Sequence, residues 1–252
     1  MTRLYDDFLA EATVRLNALA AEANAGALDP AIDLLVDAVD TGGVLQAFGT
    51  GHSEAFAMEI AGRAGGLIPT NRIALRDAVL RGDRSADILG SGSKLERDPG
   101  IVDELFRISP IGPEDVFLIA SNSGVNGSIV GMALKAKETG HKVIAVTSLL
   151  HTDAVEPKHP SGLKLRDIAD VVIDNKAPYG DATLQLGDGV GVGAISSITA
   201  AFIAQLLTIA VAERIAASGT TPPVYISANI PGGDEHNKAL EDLYQDRISR
   251  TA

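Results

Sequence analysis

Val44-Leu45-Gln46-Ala47-Phe48-Gly49-Thr50-Gly51-His52-Ser53 is the stretch whose reading decides the fold. The apolar run is too short for a helix, and Gly42-Gly43 bounds it in front, so it reads as a buried strand. A turn rich in glycine and hydroxyls follows. Beyond it, Ala55, Phe56, Met58, Ile60 and Ala61 supply apolar positions for a helix. Strand, tight turn and helix in this order make the first half of a βαβ unit.

The same arrangement recurs downstream. Residues 115–120 read as a second strong strand, and Ser121-Asn122-Ser123-Gly124-Val125-Asn126-Gly127-Ser128 as its exit loop. A helix is expected over 129–139, stopped by Gly140. Strands are expected over 142–146, ending at Thr147-Ser148, and over 171–173, ending at Asp174-Asn175; a weaker one lies near 67–69. Residues 81–97 mix Gly, Ser and charge and read as a long functional loop or lid, with a short helix at 101–106. Strands alternating with helices require a parallel sheet with right-handed crossovers.

Upstream, the first 40 residues read as two helices. Tyr5, Phe8, Leu9, Ala12, Leu16 and Leu19 fall mostly on one face of the first, and Asp29-Pro30 opens the second. Downstream lie a Gly-rich passage at 187–193, a long apolar helix over 195–217, a polar loop over 225–236 and a last helix over 238–248. The expectation is one domain spanning 1–252: a helical arm (1–40), a core (41–217) and a C-terminal loop and helix (218–252). The fold class is α/β, a doubly wound three-layer sandwich with a mainly parallel five-stranded sheet.

Composition narrows the function. The chain has 252 residues, 46% of them hydrophobic, enough for one well-filled core. It has no cysteine, which excludes disulfides, thiolate catalysis and Cys-ligated zinc. Asp and Glu number 33 against 21 Lys and Arg, a formal charge of −12 with no basic cluster, so a nucleic-acid partner is not expected. Residues 1–12 hold Asp6, Asp7 and Glu11 and no apolar segment of the signal-peptide kind. The run over 194–212 carries Ser196, Ser197, Thr199, Gln205 and Thr208 and reads as a buried helix rather than a membrane span. A cytoplasmic protein without a membrane partner, cofactor or metal is expected.

Open parallel sheets bind ligands at the carboxyl ends of their strands. There Gly49, Thr50, Gly51 and Ser53 form one loop, and Ser121, Asn122, Ser123, Gly124 and Asn126 form another. Free N–H groups at a helix start and nearby hydroxyls, with Thr147 and Ser148 beside them, suit one phosphate without any Lys or Arg. Nucleotide motifs fail on spacing: Glu54 stands where a dinucleotide fingerprint needs its third glycine, and no Gly-Lys-Ser/Thr occurs.

Phe48–Ser53, Ile119-Ala120-Ser121-Asn122-Ser123-Gly124-x-Asn126 and Lys135-x-x-Glu138-x-Gly140-x-x-Val143-Ile144-Ala145-Val146-Thr147-Ser148 resemble the SIS (sugar isomerase) domain over roughly residues 30–215. The resemblance implies a flavodoxin-like sheet, a phosphorylated-sugar ligand, and a homodimer or homotetramer with its site near a subunit interface. Phosphoheptose isomerase-like proteins and N-acetylmuramic acid 6-phosphate etherase are the most similar members.

Aldose–ketose isomerisation through an enediol needs a base and a ring-opening group. Glu59, in a string resembling the phosphoheptose isomerase stretch around its catalytic Glu, is the candidate base; an i,i+4 ion pair with Arg63 is the competing reading. His52 and His236 are the candidate histidines, and His151 follows the third strand end. Three readings stay open: isomerase, lyase of the etherase type with Glu96 as second acid, and a phosphosugar sensor without turnover.

Overall fold

The computed structural model describes residues 4–249. The chain runs through α1 (Leu4–Asn24), α2 (Asp29–Asp40), β1 (Leu45–Gly49), α3 (Glu54–Ile60), β2 (Thr70–Ile73), α4 (Asp77–Leu80), α5 (Ser93–Arg97) and α6 (Ile101–Ile108). It continues with β3 (Val116–Ala120), α7 (Gly127–Glu138), β4 (Lys142–Thr147), α8 (Leu149–Asp153), α9 (Leu165–Ile168) and β5 (Val171–Asp174). A hairpin, β6 (Ala182–Gln185) and β7 (Gly191–Ala194), precedes α10 (Ser196–Ala217) and α11 (Gly233–Glu241).

Five strands form one sheet in the order β2-β1-β3-β4-β5, every neighbouring pair parallel. Side chains alternate between its faces, as strand geometry dictates. Leu45, Ala47, Leu118, Ile144 and Val146 join Leu35, Phe56, Ile203 and Leu207 in a core beneath α1, α2, α3 and α10. Phe48, Phe117, Ile119, Val143 and Ala145 point the other way, onto Ile101, Leu105, Ile129 and Met132 of α6 and α7. Helices cover both faces, which is the expected three-layer sandwich. α10 is apolar enough to cross a membrane by composition alone, yet here it packs on α1, α2 and α3 with Ile203, Ala204, Leu207 and Val211 buried.

Three regions depart from the sequence reading. The edge strand is Thr70–Ile73 rather than 67–69, because Leu67 bridges Val224 of the C-terminal segment instead of β1. The Gly-rich passage forms the antiparallel β6–β7 hairpin, whose residues are half-buried or exposed and so lack the apolar signal of a core strand. The last helix starts at Gly233, after Gly232 at φ +79°, and ends at Glu241.

At the amino ends of the strands one carboxylate ties the centre together. Asp115 is buried and accepts from Val44 N (2.8 Å), Gln46 Nε2 (2.8 Å), Gly112 N (2.9 Å) and the Arg247 guanidinium. It holds β1, β3 and the C-terminal segment in register. Replacing Asp115 with Ala leaves those donors stranded and is expected to cost about 3–5 kcal/mol. The measurement is the urea midpoint at unchanged m-value; an unmoved midpoint contradicts this role.

Candidate functional site

β1 and β3 lie side by side with Gly49 paired to Ala120, so their exit loops begin next to each other. α3 then packs Phe56, Ala57 and Ile60 on one face of the sheet, whereas α7 packs Ile129, Met132 and Ala133 on the other. The chain diverges to opposite faces at adjacent strands, which is the topological switch point where such sheets open a crevice. Gly49 is required here by close approach. A Cβ on it would stand 2.2 Å from the Ser53 carbonyl oxygen, because the loop folds back over the strand end.

The crevice is a cleft of about 370 Å³. Thr50 and Ser53 line it from the first loop, and Ser121, Asn122, Ser123 and Asn126 from the second. Ser121 Oγ accepts from Gly124 N at 3.1 Å, which shapes the loop and leaves its own O–H to donate outward. The lid segment supplies Glu96 and Arg97, and the stretch after β4 supplies His151 and Lys158.

The lid is fastened to the second loop. The Ser128 hydroxyl donates to the Glu96 carbonyl at 2.7 Å, and the Asn126 amide donates to the Glu96 carboxylate. The Arg97 carbonyl lies so close to Gly127 that a Cβ there would meet it at 2.1 Å. The Oδ1 atom of Asn126 is buried and accepts no hydrogen bond among the described residues.

The other predicted residues are placed differently. Thr147 and Ser148 are fully buried. Thr147 Oγ1 bonds Thr152 Oγ1 (2.9 Å) and the Asn122 carbonyl (3.3 Å); Ser148 Oγ donates to the Ala177 carbonyl (2.6 Å) and accepts from His151 N. Both hydroxyls therefore support the loops instead of facing a ligand, a departure from the expectation that they bind it. Asn122 Oδ1 accepts from Asn175 Nδ2 at 3.2 Å, and Gly124 is buried beneath its loop. Gly51 and His52 form an exposed 3₁₀ turn, where His52 borders a narrow notch shared with Asn175 and Ser196.

Glu59 does not line the cleft. It lies six residues past Ser53, about 9 Å along the helix axis at 1.5 Å per residue. There it pairs with Arg63 and accepts from Gln205 Nε2 at 2.6 Å. His236 is on α11, with Nε2 3.0 Å from the Val224 carbonyl oxygen. Glu59 and His236 are thus kept apart from the two loops of their own chain. A separate cavity of about 590 Å³ lies between the end of α3 and the C-terminal segment, lined by Arg63, Arg72, Tyr225 and Asn237 among others.

Glu96 and His151, named from sequence only as secondary candidates, are the acid and the imidazole that the fold brings to the loops. Lys158 had no sequence signal, being a lone cation in an irregular stretch. Burial holds the His151 imidazole below its ordinary pKa; Asp181 opposes this, and Lys158 reinforces it.

Known proteins resemble this chain in sequence and in fold. A family described as SIS domain matches residues 7–148. A UPF0309 protein of Listeria monocytogenes is 38% identical over 225 residues, covering 89% of this chain and 90% of the relative. Among solved structures, a protein of Escherichia coli CFT073 is similar at 18% identity, covering 84% of this chain and 89% of that one, with a TM-score of 0.50. A phosphoheptose isomerase from Francisella tularensis is similar at 21% identity, covering 84% of this chain and all of that one (100%), with a TM-score of 0.49.

The lid contacts lead to a test. Ser128→Ala removes the hydroxyl that holds the Glu96 carbonyl, worth about 1 kcal/mol. Amide hydrogen exchange over residues 93–97 is expected to quicken roughly five-fold, with the exchange of β3 and β4 unchanged. Equal protection of 93–97 in both proteins would show that the lid is held by other means.

Proposed function

We propose that this chain, which belongs to the SIS domain family, binds a phosphorylated sugar in the cleft between its two strand-end loops and moves a proton between adjacent carbons of the open-chain form. One observation carries the reading. Two hydroxyl-rich loops, far apart in sequence, open onto a single cleft at the β1/β3 switch point, and their outward donors suit a phosphate. The negative overall charge is compatible with this, since one phosphate is held by local donors. Arg97 and Lys158 add two cations to the lining.

The chemistry follows from the ligand. In the open chain, a base takes the proton from the carbon next to the carbonyl. The enediol that results accepts a proton on the neighbouring carbon, converting aldose to ketose. Glu96 is the carboxylate lining the cleft of the same chain. Glu59 and His236, the residues favoured by sequence, are absent from that lining; we assign them a role only toward a ligand held by a second copy. That arrangement requires a homodimer or homotetramer. Tyr5 (80% exposed), Leu9 and Val14 on α1, and Leu186 and Val190 in the hairpin, leave apolar surface uncovered.

A lyase of the etherase type is the second reading, favoured by the same position of Glu96. Such an enzyme removes the same proton and then breaks a carbon–oxygen bond, with an acid protonating the departing oxygen.

Three outcomes are expected. Ser121→Ala combined with Ser123→Ala weakens phosphosugar binding by ten-fold or more in calorimetry, since a hydrogen bond to a charged group is worth about 1.5–3 kcal/mol; unchanged affinity removes the loop assignment. Across a panel of hexose, amino-sugar and heptulose phosphates, Glu96→Gln lowers turnover by at least about 100-fold. Turnover lost in Glu59→Gln but kept in Glu96→Gln gives the base to a neighbouring copy instead. Light scattering at micromolar concentration gives at least twice the monomer mass, and a monomer would exclude the shared site.

A further inference from the structure

His151 stands out among the groups that line the cleft. It belongs to α8, where Ser148 Oγ accepts from its backbone N–H at 3.0 Å and fixes the turn. Its ring lies against Tyr179, with centroids 5.2 Å apart. The backbone N–H of Gly180 donates to its Nδ1 at 3.1 Å. An imidazole nitrogen that accepts an N–H carries no proton, so in the neutral ring the proton sits on Nε2. The ring is thus held at Nδ1 by a backbone donor, and His151 is one of the residues lining the cleft.

We propose that His151 is a ligand-contacting residue of this cleft, a neutral imidazole whose Nε2–H donates to an oxygen of the sugar portion. The inference rests on the phosphosugar reading above and adds to it the group that recognises the sugar. The phosphate is served by the hydroxyls of the two strand-end loops, and His151 belongs to neither, which leaves the sugar oxygens for His151. A carbonyl oxygen suits this donor best. A neutral imidazole polarises a carbonyl without giving up its proton, and that makes the adjacent C–H easier to ionise. Asp181 and Lys158 are the charged groups that act on the ring, and they oppose each other. Asp181 is itself occupied, capping α10 through Ser196 N (2.8 Å) and Ser196 Oγ (2.7 Å).

Calorimetric titration with fructose 6-phosphate, glucosamine 6-phosphate and inorganic phosphate separates the two levels of the argument. His151→Ala is expected to weaken binding of the tighter phosphosugar about five-fold or more, with phosphate affinity within two-fold of wild type. Retained phosphate affinity shows that the loops remain folded. His151→Gln, whose amide N–H reaches the same position as Nε2–H, is expected to recover most of the loss. In 15N spectra at neutral pH, His151 is expected to carry its proton on Nε2.

Phosphosugar affinity unchanged in His151→Ala would overturn the inference and leave the site standing. So would equal losses for phosphate and phosphosugar, or a wild-type protein that binds both equally. A wild-type protein that binds none of the three probes would overturn the site itself, and the inference with it.

Discussion

The structure depends on one constraint: two adjacent parallel strands whose outgoing helices cannot share a face of the sheet. Gly49 and Ala120 end β1 and β3 at the same level. The apolar residues of α3 belong to one core and those of α7 to the other. Neither exit loop can then cover the other's strand end, and a crevice stays open where backbone donors and hydroxyls are concentrated. The site is a consequence of how the sheet is wound before any side chain in it is considered.

The hydroxyls near that crevice divide by their hydrogen bonds into two kinds. Thr147, Ser148 and Thr152 have no exposure and bond one another, neighbouring carbonyls and a backbone N–H. They fix the height and direction of the second loop. Thr50, Ser53, Ser121 and Ser123 border the opening and keep donors free for a ligand. An unsatisfied hydroxyl inside the protein costs more than one that trades water for a ligand, so both kinds are needed at one sheet edge. The lid adds a third layer, gripped by Ser128 and Asn126 and pressed on Gly127.

Much of this was legible in the chain. β1, β3 and β4 are short apolar runs bounded by turns, and their positions follow from that pattern to within a residue or so. β2 was misplaced because Leu67 is as apolar as a strand residue, while its actual partner, Val224, lies in the distant C-terminal segment. The hairpin was missed because an exposed two-stranded ribbon needs no apolar face. Glu59 shows how far a local string is from a position in space. Its local string is persuasive, yet a short helix running down from the loop carries it about 9 Å away along its axis.

The sequence by itself determined the class of fold and the two strand-end loops, because each depends on a periodicity or a turn chemistry confined to a few neighbours. Tertiary structure decided which of those residues meet. It turned Thr147 and Ser148 inward, brought Glu96 over the second loop, and set His151 against Gly180 at the cleft wall. Those outcomes depend on the packing of segments separated by 25 to 32 positions. A local reading of the chain carries no information about such distances in space.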